Sequence, residues 1–94
     1  MNLSNIFSRY AGKEIKMVEG TFKYRGKDYP EVRLKNPKDP LLKEIQKTAQ
    51  KNGLSLRVFW PGVAGTMDYR TDRVNADINK SPDGKWRISG FRIG

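Results

Sequence analysis

The segment from Asp39 to Gly53 constrains the fold of this chain more than any other, because it encodes one helix with both ends marked. Asp39 can accept hydrogen bonds from the free amides of a first turn, and Pro40 suits the first helical position. The pair Asn52-Gly53 provides a left-handed stop. A helix is therefore predicted over residues 40–52. Its apolar face is formed by Leu41, Leu42, Ile45 and Ala49.

Alternating apolar and polar residues on both sides of this helix predict β-strands. The predicted strands cover residues 21–24, 29–34, 54–60, 69–78 and 85–89. The first two are joined by a hairpin turn at Arg25-Gly26-Lys27-Asp28, and Pro30 places the second strand at a sheet edge because proline cannot donate to a ladder. A Pro- and Gly-bounded loop, Pro61 to Asp68, separates the third strand from the fourth.

Helical spacing of apolar residues predicts a second, short helix at the N-terminus, ended by Gly12. These residues are Leu3, Ile6, Phe7 and Tyr10. With 94 residues the chain has the size of one domain. The predicted class is α+β, with a small mixed sheet packed on one main helix and an N-terminal helix and hairpin as an extension.

The composition removes most catalytic chemistry, because the chain contains neither cysteine nor histidine. Disulfides, thiolate metal sites and Ser-His-Asp or Cys-His enzymes are excluded. Asp68, Asp72 and Asp77 are interpreted as loop or salt-bridge carboxylates, since alternation places Asp77 on the opposite strand face from the other two. The chain is therefore predicted not to be an enzyme, with no metal and no cofactor.

The N-terminal ten residues lack the apolar run of a signal peptide, and no segment approaches the roughly 18–20 apolar residues of a membrane span. We therefore expect a cytoplasmic protein without a membrane partner, and a monomer by default. Nineteen Lys and Arg against ten Asp and Glu give a net charge of +9. Such a charge favours acidic partners such as nucleic acid or anionic proteins.

A resemblance to a known family begins at Pro61-Gly62 and continues through Thr66-Met67-Asp68-Tyr69-Arg70-Thr71-Asp72-Arg73-Val74. This block resembles the reactive-loop region of the potato inhibitor I family of serine peptidase inhibitors, which includes the eglins. Pro61-Gly62, Arg73-Val74-Asn75 and the terminal Phe91-Arg92-Ile93-Gly94 look closer to the small elastase-inhibitor-like relatives of bacteria and fungi. Residues 40–94 follow the element order of the family, and residues 1–35 are extra relative to its smallest members.

The resemblance implies an extended loop that mimics a substrate of a subtilisin-, chymotrypsin- or elastase-like protease. Met67 would enter the specificity pocket, and Met67–Asp68 would be the pseudo-scissile bond. The implied reactive loop comprises Gly65, Thr66, Met67, Asp68, Tyr69 and Arg70. Arg73 would support the loop by hydrogen bonds. Asn75 stands where plant inhibitors carry a second arginine, which implies a weaker brace.

A second hypothesis is a small basic module that binds nucleic acid or a nucleoprotein enzyme, including a mobile-element protein that blocks a host nucleic-acid system. The residues of this surface would be Lys23, Tyr24, Arg25 and Lys27, beside Phe22 and Tyr29. Aromatic rings stack on bases and cations neutralise phosphates. The competing interpretation, which we expect to hold, places the three rings in the core of a small sheet.

Overall fold

The computed structural model describes residues 3–62 and 69–94. Its elements in chain order are α1 (Leu3–Phe7), which a 3₁₀ helix (Ser8–Tyr10) follows, β1 (Met17–Tyr24), β2 (Lys27–Leu34), α2 (Pro40–Lys51), β3 (Ser55–Phe59), β4 (Arg73–Lys80) and β5 (Trp86–Ile93). β1 and β2 form an antiparallel hairpin of their own. In the second sheet, β4 lies between β3, to which it is parallel, and β5, to which it is antiparallel. The α+β class predicted from the sequence is confirmed.

Helix α2 forms as its sequence predicts. The side chain of Asp39 accepts a hydrogen bond from the amide of Leu41 at 2.9 Å, and Gly53 takes the left-handed conformation with φ of 72°. Leu42, Ile45 and Ala49 are buried. The spacing of these residues gives the helix one apolar face, and this face packs into the core.

The core also contains residues from the N-terminal segment. Phe7, Tyr10 and Ile15 are buried in the same cluster as Ile45 and Ile78. Backbone hydrogen bonds attach this segment to β5, and they run from Gly12 N to Ile88 O at 2.8 Å, from Ile15 N to Trp86 O at 2.9 Å and from Ile88 N to Lys13 O at 3.0 Å. Residues of the predicted extension therefore share a core with the segment 40–94.

The hairpin is longer than predicted, and its turn is shorter. Only Arg25 and Gly26 lie between β1 and β2, both with positive φ, of 52° and 77°. This is the pattern of a type I′ turn, whose twist matches that of the flanking strands. The predicted four-residue turn is wrong by two residues, because Lys27 and Asp28 already pair with Tyr24 and Lys23.

The predicted burial of the hairpin aromatics is also wrong. Phe22, Tyr24 and Tyr29 are 48%, 56% and 39% exposed. They share one face of the hairpin, whereas Met17, Val32 and Leu34 on the other face pack against the core. A two-stranded hairpin can bury only the face that meets the rest of the protein, and its outward aromatic face is left in solvent.

The predicted strand 69–78 begins four residues later, at Arg73. Arg70 donates two hydrogen bonds to the carboxylate of Asp72, from Nε at 3.0 Å and from Nη2 at 2.8 Å. These bonds close a turn immediately before the strand. Across residues 3–62 and 69–94, no helix combines the length and the apolarity needed to cross a membrane.

Candidate functional site

The connection between the parallel strands β3 and β4 is the candidate functional site. Parallel pairing places Ser55 beside Arg73 and Phe59 beside Asp77. The chain must therefore return from the end of β3 to the start of β4, a distance of about 13 Å at about 3.3 Å per residue. Residues 60–72 make this connection. Gly65, Thr66, Met67 and Asp68 of the implied reactive loop lie outside the described residues, whereas Tyr69, Arg70, Arg73 and Asn75 lie within them.

The second sheet has two different faces. Alternation along β3, β4 and β5 places Leu56, Val74 and Ile93 on the face that meets the core. The opposite face carries polar and aromatic side chains from all three strands. These side chains include Arg57, Phe59, Arg73, Asn75, Asp77, Arg87 and Arg92. Four arginines of the described residues therefore project from one face of this three-stranded sheet.

Arg73 and Asn75 are held at the buried centre of this polar face. Arg73 is 9% exposed and Asn75 is fully buried. Both donate to the carbonyl oxygen of Gly94, Arg73 from Nε at 2.8 Å and Asn75 from Nδ2 at 3.1 Å. The amide of Gly94 donates in turn to the Arg73 carbonyl at 3.1 Å. The two predicted support residues thus share one backbone acceptor, which fixes the end of β5 against the start of β4.

Arg57 was missed by the sequence reasoning, yet it completes this network from the neighbouring strand. Its Nε donates to Oδ1 of Asn75 at 2.9 Å. Its guanidinium lies 4.4 Å from the ring centroid of Phe59, and the guanidinium of Arg92 lies 5.3 Å from the same ring. The signal was present in the alternation of Leu56 and Val58 with Arg57 and Phe59, which assigns Arg57 to the polar face once β3 and β4 are known to be parallel.

Tyr69 and Arg70 lie where the connection re-enters the sheet. Tyr69 is 70% exposed, and its ring approaches Gly94, where an added Cβ would lie 3.6 Å from Cδ2. The hydrogen bond from Arg70 holds the pKa of the Asp72 carboxyl below its usual value. The carbonyl of Asp72 accepts from the amide of Ser55 at 2.8 Å. This end of the connection is therefore fixed to β3 as well as to β4.

Trp60 anchors the other end of the connection. Its indole Nε1 donates to the carbonyl oxygen of Val32 at 2.7 Å. This hydrogen bond joins the residue that follows β3 to the middle of β2. A cleft of about 310 Å³ beside it is lined by Pro30, Glu31, Val32, Pro61 and Gly62. The hairpin and the start of the connection thus form one continuous surface.

The structure places only some residues of the predicted nucleic-acid surface on one face of the hairpin. Tyr24 and Lys27 are register partners on the outward face of the hairpin, and Arg25 in the turn lies over the Tyr24 ring at 5.3 Å from its centroid. Lys23 projects from the opposite face, where its partner is Asp28. Arg33 was not predicted, and it lies on the outward face with Lys27.

Two of the three aspartates considered as a metal site, Asp72 and Asp77, lie within the described residues and are used in ion pairs. Asp72 pairs with Arg70, and Asp77 pairs with Arg92 at 3.1 Å. Residues 3–62 and 69–94 contain no group of three acidic side chains placed to hold a metal ion.

No family model matches the chain, and no curated protein and no solved structure matches it either.

Proposed function

We propose that this protein is a serine protease inhibitor that presents Thr66-Met67-Asp68 to a subtilisin-, chymotrypsin- or elastase-like enzyme. The observation that supports this most is the polar network in which the partly buried Arg57 joins the buried Arg73 and Asn75, on the sheet face that borders the connection. A substrate-like loop inhibits only if it is ordered before binding, since ordering it on binding would reduce the affinity. In a chain without cysteine, this order must come from non-covalent contacts, and this network supplies hydrogen bonds for it.

The topology supports the same proposal. The connection joins two neighbouring parallel strands, follows the one long helix, and precedes an antiparallel last strand. Its thirteen residues, 60–72, could reach about 45 Å if fully extended, several times the separation that they must bridge. The connection therefore has enough length to present a loop. We propose the potato inhibitor I-like fold for residues 40–94 on this basis.

The proposed chemistry assigns a role to each part. Met67 fills an apolar specificity pocket, for which its flexible thioether is suited. The guanidinium groups of Arg57 and Arg73 supply charge-assisted hydrogen bonds, which are stronger than neutral ones. Tyr69 and Arg70 link the loop to this support, Tyr69 by lying beside Gly94 and Arg70 by its pairing with Asp72. The protein itself performs no catalysis in this proposal, and it needs no cofactor.

The test is a titration of subtilisin, chymotrypsin, elastase and trypsin with the protein. We expect sub-micromolar inhibition of at least one of the first three and none of trypsin. Met67→Leu, which keeps an apolar side chain, should still inhibit. Met67→Asp should not, because burying an unpaired charge in an apolar pocket costs several kcal/mol. Met67→Lys should shift inhibition toward trypsin. Rapid cleavage at Met67–Asp68 without inhibition of any of these enzymes would refute the proposal.

A further inference from the structure

The outward face of the β1–β2 hairpin carries a row of exposed rings. Phe22 and Tyr29 are register partners whose ring centroids lie 5.6 Å apart with an interplanar angle of 26°. Tyr24 follows, 6.5 Å from Tyr29. Large apolar side chains that cluster at a surface commonly mark an interaction site. Met17, Val32 and Leu34 on the opposite face pack against the core, whereas these three rings remain exposed to solvent.

Cations lie at the turn and on the same face as these rings. Arg25 lies over the Tyr24 ring, and Lys27 and Arg33 project from the same face. Glu31 is the acidic side chain on this face, so the outward surface and its turn carry three positive charges against one negative charge. The segment 1–52 as a whole has twelve basic and six acidic residues. The surface is therefore complementary to a polyanion that also offers flat apolar groups.

We propose that this hairpin face, defined by Phe22, Tyr24, Arg25, Lys27, Tyr29 and Arg33, binds single-stranded nucleic acid. Bases stack on exposed aromatic rings without regard to sequence, and cations beside the rings neutralise the phosphates. Single strands fit better than a duplex, because the rings can reach only bases that are unpaired. The residues that define this face are different from those of the proposed inhibitory loop, so each set can be changed without the other.

The direct measurement is fluorescence anisotropy of labelled oligo(dT) and oligo(U), titrated with the full chain at several salt concentrations. Three phosphate contacts predict a slope of about −2 in log affinity against log salt, at about −0.7 per contact for single strands. Tyr24→Ala should weaken binding about 5- to 150-fold, the loss associated with one stacked base. Tyr24→Phe should retain binding, because the ring rather than the hydroxyl stacks.

Two variants that each remove one positive charge distinguish binding by the outward face from binding by the net charge of the protein. Lys27→Gln removes a cation from the outward face, and Lys23→Gln removes one from the opposite face of the same hairpin. Only Lys27→Gln should reduce the salt slope, by about 0.7. Met67→Asp should bind the oligonucleotides normally while losing inhibition, so that each proposal can fail without the other.

Three results would overturn the proposal. The first is an absence of binding to either oligonucleotide at low salt. The second is an equal effect of Lys23→Gln and Lys27→Gln, which would assign the binding to net charge. The third is a concentration-dependent dimer, seen by sedimentation and abolished by Tyr24→Ala, which would make this face an interface between two copies of the chain.

Discussion

Arg57 and Asn75 face each other across the parallel strands β3 and β4, and Nε of Arg57 donates to Oδ1 of Asn75 at 2.9 Å. Nδ2 of the same Asn75 side chain donates to the backbone oxygen of Gly94. Asparagine has both an acceptor and a donor, so it can bridge a guanidinium and a backbone carbonyl, which arginine cannot do. In the proposed inhibitor, Arg57 would therefore offset the weaker brace implied by Asn75, since it brings a guanidinium to the same face from the adjacent strand.

The first prediction tests this pairing. Arg57→Met should lower the free energy of unfolding by about 1–3 kcal/mol, because it removes a donor from the buried Oδ1 of Asn75. Urea unfolding followed by circular dichroism measures the change. Arg33→Met is the matched control, since Arg33 is exposed on the hairpin. In an Asn75→Ala background the cost of Arg57→Met should shrink, whereas equal costs in both backgrounds would show that the two side chains are not coupled.

The second prediction separates support of the loop from support of the fold. Arg73→Ala should weaken inhibition about 10- to 150-fold, since a charged hydrogen bond contributes about 1.5–3 kcal/mol. Expressed as free energies, the loss of binding to the protease should be larger than the loss in the free energy of unfolding. Arg92→Ala is the control on the same face, because Arg92 is exposed and its pair with Asp77 should contribute about 1 kcal/mol or less. A collapse in stability with unchanged inhibition by the folded fraction would make Arg73 a purely structural residue.

The sequence predicted those elements whose signals are local. Helix α2 formed at its predicted position because Asp39, Pro40 and Gly53 each act within one turn of their own position. The start of β4 was predicted too early, because apolar alternation could not reveal that Arg70 would close a turn on Asp72. Local patterns identify residue types that suit a strand, but side-chain contacts decide where the strand begins.

Contacts between residues that are far apart in the sequence could not be predicted from local patterns. The rings of Phe22, Tyr24 and Tyr29 were expected in a core because aromatic residues are usually buried, and alternation alone does not say which face of a hairpin meets the protein. Asn75 lies on the sheet face opposite the core and is nevertheless fully buried, because β4 is a central strand. Arg57 acquired its role only through the parallel register of two strands separated by thirteen residues of connection.

The third prediction concerns the link between the hairpin and the connection. Trp60→Phe should lower the free energy of unfolding by about 0.5–1.5 kcal/mol, because it removes the hydrogen bond to the Val32 carbonyl. Hydrogen exchange of the β1 and β2 amides should accelerate more than exchange in β4. Trp86→Phe is the matched control, since its buried indole N–H has no hydrogen-bond partner in the described part of the chain. Equal acceleration throughout the protein in Trp60→Phe would mean that this bond supports global stability rather than the hairpin.

The last prediction uses the turn that joins β4 to β5. Asp83 accepts from Nη2 of Arg87 at 2.8 Å and from the Lys85 amide at 3.0 Å, and the Ser81 hydroxyl also donates to it. These donors, with Arg87 contributing most, lower the pKa of the Asp83 carboxyl well below its unfolded value of about 3.8. A carboxyl with a depressed folded pKa stabilises the protein above its unfolded pKa. That contribution is lost as the pH falls from about 4 through the lower, folded pKa.

Asp83→Asn should therefore flatten the loss of stability on acidification, because the amide does not titrate over this range. The measurement is the thermal midpoint of both proteins at several pH values between about 5 and 2, at low salt, where an exposed ion pair is least screened. The two midpoints should differ most at the upper end of the range and converge at the lower end. Asp28→Asn is the control for removing a carboxylate from the other hairpin. Parallel curves for the wild type and Asp83→Asn would show that the pairing with Arg87 does not contribute to folding.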